Sequence, residues 1–330
     1  MATTTGICIY ASQLASCIGH NRFKKPSDAL ETVWQRVAPA SFEDALRRNG
    51  IKTADEAVHD ILSSNQSVRS LLVCAEAVTT SSTQVAQGYE HVSRQLAQVD
   101  LDAEERRLVD EAFRRTMYTS YGTRQECVAL AKLHSRIPCR PDDTFYRQWV
   151  GEVDGVQVYV GGKIDAISED MTTVIEIKNR INRLFYKLPM FEIIQVQTYL
   201  QLLPHTTGAR LVECLTRDTG DVLMNAVPIE RDQDLWDTLV VPKLLGFVSY
   251  LVRLLEDPRE QDCYLQSRRR AAVVTQAIQG GFSIGHHHGG PAASHQPAED
   301  HAEEGQDHQG HPQAAQPVAV GENITEGFAF

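Results

Sequence analysis

The segment GGKIDAI (161–167) followed by VIEIKNR (174–180) places Asp165 eleven positions before Glu176, with Lys178 two residues beyond it. On a strand, Glu176 and Lys178 project from one face, because side chains alternate with period two. A turn centred near 170–171 predicts a hairpin that brings Asp165 across from, or diagonal to, Glu176. Two carboxylates a few ångströms apart repel unless a cation lies between them. Hard Mg²⁺ or Mn²⁺ takes oxygen ligands and keeps several waters. Asp165, Glu176 and the backbone carbonyl of Ile177 are therefore a sufficient protein share of its shell. A water on such a cation is acidified and becomes a nucleophile near neutral pH. The Lys178 ammonium can orient that water and neutralise a phosphate in the transition state. The chemistry this favours is phosphodiester hydrolysis.

On an exposed strand a Glu-x-Lys pair is ordinarily a solvated ion pair of little consequence. Here Val174, Ile175 and Ile177 flank the pair and predict a central strand. Burying Glu176 and Lys178 there without a function would cost stability.

The elements that must position these residues can be read from periodicity. Residues 1–36 read as a strand and then a helix, with Ser12 as its N-cap, an apolar stripe at Leu14, Ala15 and Ile18, and Gly19 closing it. A second helix starts near Pro26–Ser27 and carries Ala29, Leu30, Val33 and Trp34 on one face. Residues 41–116 look largely helical and hold no motif, which predicts a helical insertion at about 37–118. A further helix covers Thr119–His134, entered through Tyr121-Gly122. The pattern then turns to period two. Strands over Trp149–Val153 and Val156–Ile167 are joined at Asp154-Gly155, a strong hairpin dipeptide, and Thr172–Lys178 is a further strand. A helix over Phe191–Leu203, strands over Ala209–Thr216 and Asp221–Val227, and apolar helices over Leu235–Leu255 complete an α/β core built on a mixed sheet.

Composition bounds the alternatives. The 330 residues carry 32 Lys+Arg against 43 Asp+Glu, a net charge of −11, which at first argues against a nucleic-acid partner. The charge is uneven. From Ala271 onward there is no Lys or Arg, while seven acids and seven of the twelve histidines crowd a Gly-, Pro-, Gln- and Ala-rich run. That run predicts a disordered acidic, His-rich tail over 271–330, and a body over 1–270 that is much closer to neutral. Its last residues, Ile324 to Phe330, regain apolar character and could serve as a docking peptide. The seven cysteines include no C-x-x-C pair, so reduced thiols are expected rather than a disulfide framework or a four-cysteine metal site. No secretory signal opens the chain, and the longest apolar stretch, Leu239–Leu255, is broken by Pro242, Lys243 and Arg253. A soluble protein in a reducing compartment is expected, with no membrane partner.

Asp165…Glu176-Ile177-Lys178 resembles the signature of the PD-(D/E)XK nuclease superfamily, and the wider pattern is similar to its YqaJ-like viral recombinase and phage lambda exonuclease branch. The run from Tyr10-Ala11-Ser12 through Gly19 to Phe23, followed by Trp34, resembles that branch's first block. Gly122-Thr123-Arg124-Gln125-Glu126 resembles its G-x-x-x-E helix, and Gln195-Val196-Gln197 with Tyr199 its Q-x-Q helix. Ile164 stands where the name motif has Pro, and 37–118 is longer than the branch's usual spacing. The resemblance implies a restriction-endonuclease-like core, a central mixed β-sheet flanked by helices. It adds Glu126 to the metal site and Gln195 as a supporting group. It implies exonuclease action on duplex DNA ends in viral or phage-type recombination or repair. A single-strand annealing recombinase as partner, a homo-oligomer, and the cytoplasm or nucleus of a virus-infected host fit the same picture.

DNA contacts are expected from two basic clusters. Arg180, Arg183 and Lys187 follow the catalytic strand, interleaved with Phe185 and Tyr186, and Arg22, Lys24 and Lys25 follow the Gly19 turn. Ser12, Gln197 and Tyr199 join them through the resemblance. Two other readings stay open: a non-catalytic DNA-binding or assembly module on the same fold, and an RNA endonuclease using the same metal chemistry.

Overall fold

The chain enters on β1 (Gly6–Tyr10), in which Ile7 and Ile9 point into the core while their neighbours stay partly open, the period-two signature of a strand covered on one face. This is a computed structural model, and it describes residues 6–76, 79–267 and 270–279. Helix α1 (Ala11–Cys17) follows directly. Helix α2 (Pro26–Val37) opens on Pro26 and buries Ala29, Leu30, Val33 and Trp34. Helix α3 (Pro39–Asn49) ends at Gly50, whose φ of 63° makes glycine the residue of choice. Helices α4 (Ala54–Ser64), α5 (Gln66–Ala75) and α6 (Ser82–Leu96) are capped by the side chains of Thr53, Asn65 and Ser81. Helix α7 (Ala103–His134) runs for 32 residues behind an Asp102/Glu105 capping box.

The strands come next: β2 (Cys139–Pro141), β3 (Tyr146–Val153), β4 (Val156–Gly162), β5 (Ala166–Ser168) and β6 (Thr173–Asn179). Helix α8 (Met190–Leu202) leads to β7 (Gly208–Thr216) and β8 (Val222–Glu230). A helical turn α9 (Gln233–Leu235) and a π-helical turn at Trp236–Val240 run into α10 (Val241–Glu256), followed by α11 (Pro258–Gln266) and α12 (Arg270–Gln279).

The strands form two mixed sheets flanked by helices, the α/β arrangement expected from the sequence. In one, ordered β1-β4-β3, β1 runs parallel to β4; in the other, ordered β2-β5-β6-β7-β8, β6 runs parallel to β7. The single strand expected over 156–167 is two strands. The ladder lapses at Lys163–Asp165, where the chain passes from the first sheet to the second. Asp165 therefore sits in the crossing segment, just outside the ladder, rather than on a strand. β6 is central, between β5 and β7, as its apolar flanks predict.

Three apolar clusters divide the labour. The main core joins β1 and β4 to α1, α2, α3, α8 and α10. A second gathers Ile61, Val68, Val85, Val92, Phe113 and Met117 from α4–α7. A third packs Ala129 and Leu133 of α7 against Ile175, Ile177, Val212 and Cys214 of the second sheet. The helical insertion is thus narrower than 37–118, because Phe42, Ala45 and Leu46 of α3 belong to the main core. Nor does a helix begin near Tyr121-Gly122. One mid-helix glycine costs only about 1 kcal/mol, and Tyr121 and Gln125 beside it are both buried, so α7 continues through.

The expected body ends too early at Arg270. Helix α12 continues to Gln279 and seats Val274 and Ile278 in the main core, so apolar positions there outweigh the absence of charge. The remainder of the expected disordered tail, 280–330, lies outside the described residues, as does the docking peptide at its end. The run Gln233–Glu256 is long and apolar enough to cross a membrane by length and composition alone. Its Leu244, Phe247, Val248, Leu251 and Leu254 are buried in the main core, which accounts for that composition.

Candidate active site

Asp165, Glu176, Lys178 and Gln195 come together where the crossing segment, β6 and α8 meet. The carboxylate of Asp165 accepts from the Ile177 backbone N–H at 2.6 Å, which fixes it beside β6. Lys178 Nζ donates to Glu176 Oε1 at 2.5 Å and to Gln195 Oε1 at 3.1 Å. The Gln195 amide donates in turn to Glu176 Oε1 and to the Tyr199 hydroxyl oxygen, each at 2.8 Å. One face of α8 supplies both of these groups, since Gln195 and Tyr199 lie four residues apart. Tyr199 reaches the site because Gly162 leaves room. A Cβ on Gly162 would lie 3.1 Å from the Tyr199 ring and 3.3 Å from Ala11.

Glu126 approaches from α7, which is tied to the end of β6 by a bond from the Asn179 amide to the Gly122 carbonyl at 3.1 Å. Sequence reading missed Asn179, and nothing in its type or spacing singles it out. Burial pushes the Glu126 carboxyl up, Asp165 adds repulsion, and Lys178 pulls it back. The same imbalance runs through the set. Asp165 is raised by burial despite the Ile177 N–H and Lys178. Glu176 is raised by burial, with the Asp165 carboxylate adding to the rise, to about 7. Lys178 stays charged: burial opposes its ammonium, but Glu176 and Asp165 outweigh it and raise it. Asp165 and Glu176 face one ammonium, with Glu126 adding charge at longer range, which leaves the cluster short of positive charge.

The shortage has a definite location. Glu176 Oε2 is buried and accepts from no donor. A buried carboxylate oxygen in that state is costly. A proton shared with Asp165 would satisfy it, and so would a cation. Asp165, Glu176 and the Ile177 carbonyl are hard oxygen donors of the type Mg²⁺ and Mn²⁺ take, so these residues fit the expected ion. Among the described residues no preformed group of three His, Cys, Asp or Glu side chains converges as a metal cluster, so Glu126 would act at one remove.

The pH dependence follows. Glu176 has its folded pKa above the ordinary 4.5, at about 7. Its favourable contribution is therefore present below pH 4.5 and is lost as pH climbs through 7, because the folded state holds the proton longer. The loss is roughly 3 kcal/mol. In EDTA, urea unfolding of the wild-type protein should show stability falling between pH 5 and pH 8, and Glu176→Gln should flatten that fall. Millimolar Mg²⁺ should restore the wild type at pH 8 and leave the variant unmoved. Equal pH slopes for the two proteins would remove the charge shortage from this picture.

The DNA contacts expected from sequence divide. Arg22 and Arg183 are exposed and line, with His20, Lys187, Phe185 and Phe191, an open cleft of about 410 Å³. Lys187 and Lys25 are exposed, as is Tyr186, whereas Lys24 bonds Thr32. Ser12 is exposed too, but it does not cap α1, whose N-cap position is Tyr10 with no side-chain bond.

Three expectations fail. Arg180 is buried and makes ion pairs with Glu192 at 2.6 Å and Glu213 at 2.7 Å, because a guanidinium turned inward finds two carboxylates at bonding distance. Its guanidinium covers the Phe185 ring at 4.0 Å, so that ring is not free for a base. Gln197 is buried and bridges the Glu230 carbonyl and the Asp232 N–H, stapling α8 to the end of β8. Tyr199 is buried within the site rather than on a DNA-facing surface.

No family model matches the chain, and no curated protein matches it. Among solved structures, the chain is similar to an alkaline exonuclease (LHK-Exo) from Laribacter hongkongensis, at 19% identity, over 52% of this chain and 93% of that one, with a TM-score of 0.33. It is also similar to LHK-Exo in complex with dAMP, at 15% identity, over 59% of this chain and 92% of that one, with a TM-score of 0.33.

Proposed function

We propose that this protein is a divalent-cation-dependent nuclease that hydrolyses phosphodiester bonds of DNA, acting as an exonuclease on duplex ends in viral or phage-type recombination or repair. The observation that carries the reading is the orphaned Glu176 Oε2 beside a second carboxylate, Asp165, and the Lys178 ammonium. The order of motifs in the sequence supplies the choice of DNA ends, of a recombinase partner and of a homo-oligomer.

A bound Mg²⁺ would supply Lewis acidity to the phosphate and an acidified water. The chain's own residues do the rest. Lys178 spends two of its three N–H donors on Glu176 and Gln195, leaving the third to hold the attacking water or a phosphate oxygen. Gln195 keeps that ammonium in place through its bonds to Glu176 and Tyr199. Asp165 is pinned through one oxygen by the Ile177 N–H, and its other oxygen would bind the cation. Arg22, Arg183 and Lys187 hold phosphates along the approach.

End-labelled linear duplex, circular duplex, single-stranded DNA and RNA, each with Mg²⁺ and with EDTA, test this directly. Release of mononucleotides from linear duplex in Mg²⁺ alone is expected. Binding without nucleotide release would favour the non-catalytic module, and cleavage confined to RNA would favour the endoribonuclease.

A further inference from the structure

The outer face of the β1-β4-β3 sheet has no part in the hydrolytic site, yet its side chains are not those of an idle surface. Register places them in rows. Cys8 of β1 pairs with Tyr159 of β4, which pairs with Trp149 of β3; the next row is Tyr10, Gly161 and Arg147. Residues directly opposite on one face lie within side-chain contact. Arg147 stacks over Tyr159 at 3.5 Å, Arg36 of α2 stacks over Tyr10 at 4.1 Å, and Tyr10 meets Phe145 edge-on at 5.7 Å. Burial pushes the Cys8 thiol up, and Arg147 and Arg36 both pull it back.

Two glycines make the layer possible. A Cβ on Gly161 would fall 2.8 Å from Phe145, and one on Gly6 would fall 2.9 Å from Tyr159. The aromatic groups are laid down on bare backbone. Trp149 is 58% exposed and Phe145 is 47% exposed, whereas Ile7, Ile9, Val158 and Val160 on the opposite face are fully buried. Neither Arg36 nor Arg147 forms an ion pair among the described residues; the Arg36 guanidinium donates to the Cys8 carbonyl at 2.7 Å, and its Nε is buried without a partner.

We infer that this face binds single-stranded nucleic acid, with bases stacked on Trp149 and Phe145 and phosphates held by Arg147 and Arg36. Exposed flat rings beside guanidiniums that lack carboxylate partners match the two requirements of a single strand, a stacking platform and positive charge along the backbone. None of these residues lines the cleft formed by Arg22 and Arg183. The inference goes beyond the hydrolytic reading and rests on it only for the presence of nucleic acid.

The protein carries its own reporter, because Trp34 and Trp236 are buried and Trp149 is the exposed tryptophan. Full-length protein in EDTA, titrated with a short oligo(dT) at low salt, should lose tryptophan fluorescence. Trp149→Phe should abolish the quench, and Trp149→Ala and Arg147→Ala should each weaken binding by about tenfold or more, read by anisotropy of a labelled strand. Unchanged melting temperatures would show that these exposed truncations leave the fold intact, and Phe145→Ala is a second variant if either does not. Wild-type affinity in Trp149→Ala, Arg147→Ala and Phe145→Ala alike would overturn the proposal. So would self-association of the wild type that Trp149→Ala abolishes with no change in oligo(dT) affinity, which would make the face a contact between copies. Because binding is read in EDTA and cleavage in Mg²⁺, a protein that cuts duplex ends but shows no Trp149-dependent quench loses this inference alone. One that quenches but never cuts loses the hydrolytic reading alone.

Discussion

Lys178→Ala is expected to slow phosphodiester hydrolysis by about 10²–10³-fold while leaving the fold intact, and Glu176→Ala is expected to abolish it. The first magnitude is that of removing one well-aimed donor from a developing charge. Lys178 is such a donor: its Nζ is held from two sides by Glu176 and Gln195, so its remaining proton is aimed before substrate arrives. The fold should survive because Lys178 stands near the end of β6 with a quarter of its side chain exposed, and the backbone ladder to β7 does not depend on it. Removing the ammonium also removes the positive charge that offsets Glu176 and Asp165, so the Glu176 carboxyl should rise further. Lys178→Arg keeps the charge but replaces a compact ammonium with a planar fork, and should recover little. Single-turnover cleavage of a linear duplex in Mg²⁺, with circular dichroism and melting as controls, reads all of this. A Lys178→Ala protein that cuts at the wild-type rate would remove the mechanism.

Much of this site is legible in the sequence, for a physical reason. Strand periodicity is local, so Glu176 and Lys178 share a face wherever β6 ends up, and a hairpin-length spacing is enough to bring Asp165 to them. The central position of β6 could be read from Val174, Ile175 and Ile177 for the same reason. What could not be read is where a polar side chain turns once the sheet is built. Arg183 and Arg180 are alike as sequence: both are basic and both follow β6. Only the register of β6 on β7, which sets Lys178 beside Glu213, together with the entry of α8 at Glu192, makes Arg180 interior and leaves Arg183 outside. Gln195 and Gln197 diverge similarly. Two residues apart on a helix, they face different directions, one into the carboxylate cluster and one against the end of β8. Likewise the break at 163–165 is a matter of sheet closure, which a continuous apolar pattern hides.

Arg180→Ala is expected to cost about 3–5 kcal/mol of stability, the largest loss from any single charged residue away from the carboxylate cluster. The reasoning is that of a buried pair broken on one side. Glu192 is 3% exposed and takes both its bonds from Arg180, at 2.6 and 2.7 Å. Without the guanidinium its charge is stranded in the interior. Glu213 is better insured. Burial opposes its charge, but the Asn225 amide, the Phe185 and Tyr186 N–H groups and Arg180 together hold its carboxyl below the usual range. It therefore keeps three donors when Arg180 is lost. Glu192 should then account for most of the penalty, and a combined Arg180→Leu, Glu192→Leu protein should regain much of what Arg180→Ala loses, since the stranded Glu192 charge is gone and Glu213 keeps its three neutral donors. The loss should also reach catalysis. Glu192 lies one helical turn before Gln195, and the Arg180 network anchors the segment that carries Arg183 and Lys187. Urea unfolding of the single and double variants measures the coupling, and cleavage by the double variant separates position from stability. If Arg180→Ala unfolds at the wild-type urea midpoint, the guanidinium is not buried between these carboxylates, and its return to the DNA-contacting set would follow.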